Sequence, residues 1–373
     1  MSSLPAILPS AEFRTELARR GGGTVTRCYQ CATCSAVCDL APDGAPFPRR
    51  QMLLAQWGLE TQVAADPAVW LCHQCNDCTE RCPRDARPGD VLQAVRALSV
   101  EKLAFPGALG RLVGRAATTW PLLLAIPILF WLALLAGTGH LTLPADFHAY
   151  EQVVPHALIY GVFFPVAGWV VLAGWVSGRR FWALLGTASP RSGTFLGNLL
   201  PVLGEIASHK RFRSCGAARP RFASHFLVLW GFVGAAVTSG LLIVGIYVQD
   251  LPMPLALSHP YKILGNVSAV LLVVGGGWLV ASRLGNRAAT GTSTAFDTYF
   301  LTMVVLVIVT GVLSEVARLA FSGEFAFAVY ITHLGVVLNL FVTFPYSKFA
   351  HLLYRSLAMV HRRMVEAAEP THP

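Results

Sequence analysis

The sequence of 373 residues predicts an all-α protein in two parts, a small cysteine-rich helical domain followed by a bundle of six membrane-spanning helices. Hydrophobic residues make up 54% of the chain and charged residues only 13%, roughly half the charged share of an ordinary globular domain. Long uncharged runs begin after about residue 107, whereas eight of the nine cysteines stand before it. This composition excludes intrinsic disorder and requires that much of the second part be solvated by lipid.

The apolar part contains six runs of about 20 residues, the length of helix that crosses ~30 Å of hydrocarbon. These predicted spans cover residues 118–139, 153–177, 223–248, 263–282, 298–318 and 327–351. We expect four segments along the chain: an N-terminal tail over 1–20, the cysteine-rich domain over 21–105, the membrane bundle over 106–355 and a C-terminal tail over 356–373. The N-terminus lacks a basic stretch followed by an apolar core, so no cleavable signal peptide is expected.

The basic residues predict how the bundle is oriented. The loop over residues 178–222 contains eight Lys and Arg residues, whereas the loops over 140–152 and 250–258 contain none. By the positive-inside rule, both termini and the cysteine-rich domain lie on the cytoplasmic side of the inner membrane. The net charge of +9 therefore marks a membrane face, and no nucleic-acid partner is expected. In a reducing cytoplasm, the cysteines favour metal binding over disulfides.

Two motifs of the form C-x2-C-x2-C-x3-C carry these cysteines, one from Cys28 to Cys38 and one from Cys72 to Cys82. In two-cluster ferredoxins, the fourth cysteine of such a run binds the other cluster. We therefore expect two [4Fe-4S] clusters, one bound by Cys28, Cys31, Cys34 and Cys82, the other by Cys72, Cys75, Cys78 and Cys38. Structural zinc is the alternative, but it would have no use for the third and fourth cysteines of each run.

The surroundings of the motifs refine this interpretation. Residues 51–58 between the motifs have helical character, which predicts an α-helical ferredoxin domain. Pro83 follows Cys82, but Asp39 follows Cys38, so we expect the first cluster to be the more exposed to solvent. Cys215 lies in the basic loop and is interpreted as an incidental reduced thiol.

Four histidines stand in or beside the apolar spans, where an ionisable residue is a functional hypothesis by default: His225, His259, His333 and His351. His333 and His351 are 18 residues apart, which is five turns and ~27 Å on one continuous helix. Because successive spans alternate in direction, His225 lies at the inner level with His351, and His259 at the outer level with His333.

Two pairs of histidines at two depths are the ligand pattern of two bis-histidine b-type haems. The inner haem would be bound by His225 and His351, and the outer haem by His259 and His333, with His156 as a competing ligand. The alternative is that these histidines are interfacial residues hydrogen-bonded to the backbone. The bundle is therefore predicted to be a cytochrome b.

A quinone site is predicted near the outer haem, within reach of His259, Lys262, His333 and Glu315. Glu315 could accept the proton that quinol oxidation releases, or it could form only a helix-surface pair with Arg318. Lys262 could bind a quinone carbonyl, or it could extend its amine to the membrane surface. Asp297 is again 18 residues from Glu315 on the fifth span.

With these residues, the chain resembles the family of C subunits of quinone-interacting membrane-bound oxidoreductase complexes. Residues 21–105 resemble the iron–sulfur C subunit of heterodisulfide reductase, through Cys28-Tyr-Gln-Cys-Ala-Thr-Cys34 and Cys72-His-Gln-Cys-Asn-Asp-Cys78. Residues 150–355 resemble its cytochrome b subunit and the nitrate reductase gamma subunit, through the segments 224–231, 259–265 and 345–351. The gamma subunit has a further histidine where this chain has Ala235, so the outer haem has less support than the inner one.

The resemblance implies an electron-transfer subunit that exchanges electrons with the quinone pool. It further implies as partners two flavin- and iron–sulfur-containing subunits of the same complex and adenylylsulfate reductase, in dissimilatory sulfur metabolism. One alternative is the membrane subunit of a heterodisulfide-reductase-like or sulfite-reductase-associated complex. Another is a transporter or sensor with regulatory clusters, although no span shows the paired Gly/Pro breaks typical of inverted repeats.

Overall fold

The computed structural model describes residues 8–41, 46–145, 147–186, 191–214, 219–285 and 291–368, and every regular element in these ranges is a helix. The predicted all-α class is confirmed. Cys215 lies outside the described residues.

The cysteine-rich domain is built on one long helix. Around it, the described residues form these helices: α1 (Ala11–Leu17), α2 (Thr33–Ala36), α3 (Arg49–Gln56), α4 (Glu60–Ala64), α5 (Ala68–Leu71), α6 (Asp77–Glu80) and α7 (Pro88–Leu103). Helix α7 begins with Pro88, whose fixed φ suits a first turn. Its Val91 and Leu92 are buried with Leu17 and Met52 of the neighbouring helices. Buried side chains of this size contribute about 1.5–3 kcal/mol each.

The membrane part contains six segments long and apolar enough to cross a bilayer, within the described ranges. Short helix α8 (Gly107–Gly114) leads into the first span. The spans are α9 (Ala116–Gly137), α10 (His156–Leu184), α13 (Arg219–Tyr247), α14 (Pro260–Gly285), α15 (Ala295–Ala320) and the pair α16 (Gly323–Thr343) and α17 (Ala350–Glu366). Helices α11 (Phe195–Ala207) and α12 (Lys210–Ser214) connect the second and third spans. The prediction of six spans is confirmed.

The last span is interrupted, and this corrects the argument from a continuous helix. Helix α16 ends at Thr343, a 3-10 turn covers Phe344–Tyr346, and α17 begins at Ala350. Pro345 lacks a backbone N–H and its ring crowds the preceding turn, which favours a break of the helix at this position. His333 and His351 therefore lie on two different helices, and their spacing does not place them on one face.

The described parts of both expected tails, residues 8–20 and 356–368, belong to the folded structure. Phe13 and Leu17 of α1 are buried in the core of the cysteine-rich domain, so the domain begins before residue 21. Helix α17 continues to Glu366, and its Met359 and Val360 are buried in the same core. Apolar side chains that recur along one helix face explain both extensions, because they bury that face against the domain.

One hydrophobic core joins the cysteine-rich domain to the bundle. Trp70 of α5 packs against Tyr354 of α17, with ring centres 4.8 Å apart. Phe181 of α10 meets Trp70 and Tyr354 at 5.9 and 5.2 Å. Arg180 donates to the carbonyl oxygen of Ala104 at 2.8 Å. We call the end of the bundle that contacts the domain the domain end, and the opposite end the far end.

A buried carboxylate at the domain end adds a polar connection. Asp297, at the start of α15, is only 1% exposed. It forms an ion pair with Lys348 in the break of the last span and accepts a hydrogen bond from Gln93 of α7. The Thr294 hydroxyl and backbone N–H donate to the same carboxylate. Asp297 therefore connects three parts of the chain.

We expect Asp297→Asn to destabilise the protein strongly, because it leaves the Lys348 cation buried without its anion. Breaking a buried pair costs roughly 3–5 kcal/mol. Thermal unfolding of the purified chain in detergent measures the loss. Glu16→Gln is the control, since the Glu16–Arg19 pair is exposed and such pairs contribute ~0–1 kcal/mol. Equal unfolding temperatures for the two variants would contradict a structural role for Asp297.

Candidate functional site

The two cysteine motifs adopt the same backbone geometry. Gln30 and Ala32 flank Cys31 with positive φ, and Gln74 and Asn76 flank Cys75 in the same way. Non-glycine residues rarely adopt this conformation, and it persists only where the surrounding structure enforces it. In each motif a one-turn helix follows, α2 or α6, and carries the third cysteine. Each motif therefore curls around a central space.

A cavity lies in each of these spaces, with about 340 and 350 Å³ not filled by protein atoms, part of it open to solvent. The first, which we call the distal cavity, is lined by Cys28, Cys31, Cys34 and Cys82. The second, the proximal cavity, is lined by Cys38, Cys72, Cys75 and Cys78. The fourth cysteine of each motif thus lies with the first three of the other, which is the grouping that crossed ligation requires.

The four cysteine thiols that line each cavity could hold an iron–sulfur cluster. Burial, and then the charges of Cys28 and Cys31, raise the pKa of the Cys34 thiol to about 11. Burial, and then the charges of Cys72 and Cys75, also raise the pKa of Cys78. No disulfide joins the eight cysteines from Cys28 to Cys82. Within the described ranges, no three His, Cys, Asp or Glu side chains could hold a single metal ion.

The two cavities differ in their surroundings. At the distal cavity Cys31 is exposed, and Tyr29 is 69% exposed. At the proximal cavity Cys72 is buried, and His73, which occupies the position equivalent to Tyr29, is 5% exposed. The first site is therefore the more exposed one, and the second faces the bundle.

Arginines connect the proximal motif to the bundle. Arg96 of α7 and Arg355 of α17 donate to the carbonyl oxygen of Cys72 at 3.2 and 3.4 Å. Arg221 of α13 donates to the carbonyl oxygen of Gln74 at 2.6 Å. Burial, and then nearby arginines led by Arg355, lower the pKa of His73 to about 3, so its imidazole is neutral at pH 7.

A chain of aromatic contacts leads from His73 into the bundle. The His73 ring lies 5.4 Å from the ring of Phe212, and Phe212 lies 5.4 Å from His225. His225 of α13 and His351 of α17 then face each other with ring centres 6.3 Å apart and planes at 82°. Two imidazoles that share one metal through nitrogens about 2 Å from it have ring centres roughly 6 Å apart.

Each histidine of this pair has its Nδ1 engaged. His351 Nδ1 donates to the carbonyl oxygen of Lys348, which leaves Nε2 with its lone pair. His225 Nδ1 shares a 2.9 Å hydrogen bond with Nε2 of His209. Metal-binding histidines are commonly oriented by a hydrogen bond of this kind at the other ring nitrogen. The pair therefore fits an axially bound haem iron.

His209 is a site residue that the sequence reasoning missed. It lies outside the apolar spans, in the turn between α11 and α12, with a positive φ of 51°. Its side chain is buried, and this burial lowers its pKa. The local sequence gives no signal for it, because only the fold of this turn brings the ring to His225.

The far-end residues are less closely assembled. His333 Nδ1 lies 2.9 Å from the Thr310 hydroxyl oxygen, and its ring packs against Gly311. His259 Nδ1 accepts from the backbone N–H of Tyr261 at 3.3 Å. Within the described ranges, the rings of His259 and His333 do not contact each other.

The other far-end candidates form ion pairs. His156 Nε2 lies 3.7 Å from Glu151. Lys262 Nζ lies 2.6 Å from Glu315, whose other oxygen is 3.2 Å from Arg318. The structure thus joins Lys262 to Glu315, and the Glu315–Arg318 pair is present as well.

Comparisons with known proteins divide the chain at the same place as the fold. Residues 24–86 match a 4Fe-4S dicluster domain, and residues 107–372 match the family described as citrate utilization protein B. No solved structure matches.

Citrate utilization protein B of Escherichia coli is 25% identical over 384 aligned residues, which cover 96% of each chain. The C subunit of the H(2):CoB-CoM heterodisulfide,ferredoxin reductase of Methanothermobacter thermautotrophicus is 38% identical over 88 residues, 23% of this chain and 46% of the relative. A protein of Archaeoglobus profundus, described as similar to the C subunit of heterodisulfide reductase, is 36% identical over 96 residues, 26% of this chain and 50% of the relative. The alignments with these two relatives thus span about half of each relative's length.

The chain carries an iron–sulfur electron-transfer domain, similar to the C subunit of heterodisulfide reductase, that is joined to membrane helices, as the sequence resemblance predicted. The match to a quinone-interacting complex stays a prediction. Because the second family match covers well over half of the chain, the protein belongs to the citrate utilization protein B family.

Proposed function

We propose that this protein is the membrane subunit that transfers electrons between a soluble redox partner and the quinone pool. The observation that carries the proposal is the line of sites from an exposed cysteine cavity, through a buried one, to a histidine pair inside the bundle. When bound, iron–sulfur clusters and haem supply one-electron redox chemistry. The protein holds these groups in order and keeps the inner ones away from water.

The crossed cysteine sets are the proposed cluster ligands: Cys28, Cys31, Cys34 and Cys82 at the distal site, and Cys72, Cys75, Cys78 and Cys38 at the proximal site. Their support is the lining of the two cavities and the match to a dicluster domain. The exposed distal site suits exchange with a soluble partner, because that partner must approach closely.

His225 and His351 are the proposed ligands of an inner b-type haem. The ring separation and the engaged Nδ1 atoms support this assignment. A second haem would be bound by His333 with His259 or His156. It has weaker support, because His333 contacts Thr310 and neither proposed partner ring meets it.

The quinone site is proposed at the far end, around Lys262 and Glu315. Quinol oxidation releases protons, and this pair is a half-buried ionisable group on apolar helices. By the positive-inside rule the domain end faces the cytoplasm, so these protons would be released on the outer side.

The soluble redox partner has two candidates. The full-length similarity to citrate utilization protein B supports a partner that acts in the utilization of citrate. The sequence resemblance instead predicts two flavin- and iron–sulfur-containing subunits with adenylylsulfate reductase. Quinone reduction by native membranes with and without this chain distinguishes the two candidate partners. It is measured with citrate as the electron donor and, separately, with AMP plus sulfite.

For the clusters, we expect about eight non-haem iron and eight sulfide per chain, and a selective effect of Cys82→Ser. This change removes a thiolate from the distal site although Cys82 belongs to the second motif. Site-resolved EPR and iron analysis are the measurements. Cys78→Ser is the matched control and should affect the proximal cluster. A Cys82 variant that loses the proximal cluster instead would reject crossed ligation.

For the haem, His225→Ala should abolish one low-spin b-type signal and leave both clusters intact. His209→Ala should weaken haem binding by about 10–100-fold, since loss of an orienting partner has this effect at metal sites. Visible spectra and haem titration of the purified chain measure both. His148→Ala, in an exposed loop, is the control. An unchanged spectrum in His225→Ala would exclude this ligand pair.

For quinone, Glu315→Gln should slow reduction of the chain by quinol several-fold, because the ion pair with Lys262 and a proton acceptor are lost. Haem content should stay the same. Stopped-flow absorbance with a soluble quinol measures the rate. Glu324→Gln, an exposed carboxylate at the same end, is the control. Equal rates in the two variants would place quinone elsewhere.

A further inference from the structure

His73 is a buried polar side chain that has no hydrogen-bond partner among the described residues. It is 5% exposed, and neither ring nitrogen has a partner. A neutral imidazole carries one N–H donor and one acceptor, and leaving both unsatisfied in a buried place is costly. The ring lines the proximal cavity beside Cys72 and Cys75. It therefore lies where a group with sulfur acceptors would satisfy its N–H.

Two arginines bring positive charge to the same place. Arg96 and Arg355 both donate to the carbonyl oxygen of Cys72, from opposite sides of the junction between domain and bundle. Arg96 also donates to the side-chain oxygen of Gln74. Within the described ranges, neither arginine is paired with a carboxylate. Both arginines are half-buried, so water screens their charges less than it does at the surface.

The distal site has no counterpart of the buried His73 ring, although two arginines, Arg49 and Arg84, line its cavity. Tyr29 takes the place of His73 and is turned out to solvent, where the Arg84 guanidinium stacks on its ring at 4.0 Å. Arg84 and Cys31 are exposed, so water screens the charges there. The two motifs thus share their backbone geometry but differ in donors and buried charge.

Hydrogen bonds to sulfur, net charge and solvent exposure set the reduction potential of an iron–sulfur cluster. A donor N–H and buried cations stabilise the reduced, more negative state and raise the potential. Burial alone has the opposite effect, because it disfavours the added negative charge. Arginines lie near both sites, and Asp77 also lines the proximal cavity. The donor N–H of His73 is therefore the contribution that distinguishes the proximal site, and we expect it to set the order of the two potentials.

We infer that His73 donates a hydrogen bond to the cluster of the proximal cavity and, with Arg96 and Arg355, makes this cluster the easier of the two to reduce. The inference rests on the proposed function. One electron leaves the distal site for each that arrives at the proximal site, and no proton or other reagent is needed. Electrons would thereby collect beside the Phe212–His225 contact, on the membrane side of the domain.

An EPR-monitored redox titration of the full-length chain in detergent tests this inference, with the distal cluster as an internal reference. Cys31→Ser, which alters the exposed distal site, assigns the signals. In the wild type, the proximal cluster should titrate at the higher potential. The reverse order would overturn the inference without any further variant, whereas a chain without clusters would refute the proposed function itself.

The variants separate the donor from the charges. His73→Phe keeps a ring against Phe212 but removes the N–H, and Arg96→Gln removes a charge. Both should shift the proximal midpoint downward and leave the distal one unchanged. Arg96→Lys should restore most of the potential, which a merely structural role would not do. Tyr29→Phe, at the equivalent distal position, should shift neither midpoint.

If His73→Phe retains both clusters and its proximal midpoint equals that of the wild type, the hydrogen bond is excluded. If Arg96→Lys falls as far as Arg96→Gln, the charge is excluded as the cause. Should the Arg96 variants lose the proximal cluster, the same comparison with Arg355→Gln and Arg355→Lys decides the question.

Discussion

The packing of Trp70 against Tyr354 and Phe181 is the contact on which the rest of the structure depends. These rings belong to the cysteine-rich domain, to the last helix and to the second span, so one core holds both parts of the protein. Without it, the proximal motif would have no fixed position relative to the histidine pair. The buried Asp297 fixes the rotation of this junction further, because its partners come from both parts.

The break in the last span has a function in this arrangement. An uninterrupted helix would satisfy the carbonyl oxygen of Lys348 within its own ladder. Because the helix restarts at Ala350, that carbonyl accepts from both the backbone N–H and Nδ1 of His351, and the second of these bonds orients the ring. The Lys348 side chain meanwhile binds Asp297. One short irregular segment thus connects the domain contact to the proposed haem ligands.

The two cysteine motifs show how equal spacing can give unequal sites. Each motif curls through two positive-φ residues at equivalent positions, yet one motif opens to solvent and the other faces the bundle. An exposed site can meet a soluble partner, and a buried site can exchange electrons with the membrane interior. The difference arises from what packs against each motif.

The sequence by itself determined the all-α class, the six spans and the two motifs, because hydrophobic length and cysteine spacing are local properties. It also indicated the heterodisulfide reductase-like domain, since Cys28-Tyr-Gln-Cys and its neighbours form a contiguous pattern. Only the tertiary structure decided that the described parts of both expected tails are folded. It also decided that His209 forms a hydrogen bond with His225, and that Asp297 binds partners from both sides of the junction between domain and bundle. These features depend on which helix faces which and on where a helix breaks. Spacing along the chain cannot specify such facts, because contacts between helices are set by packing in three dimensions.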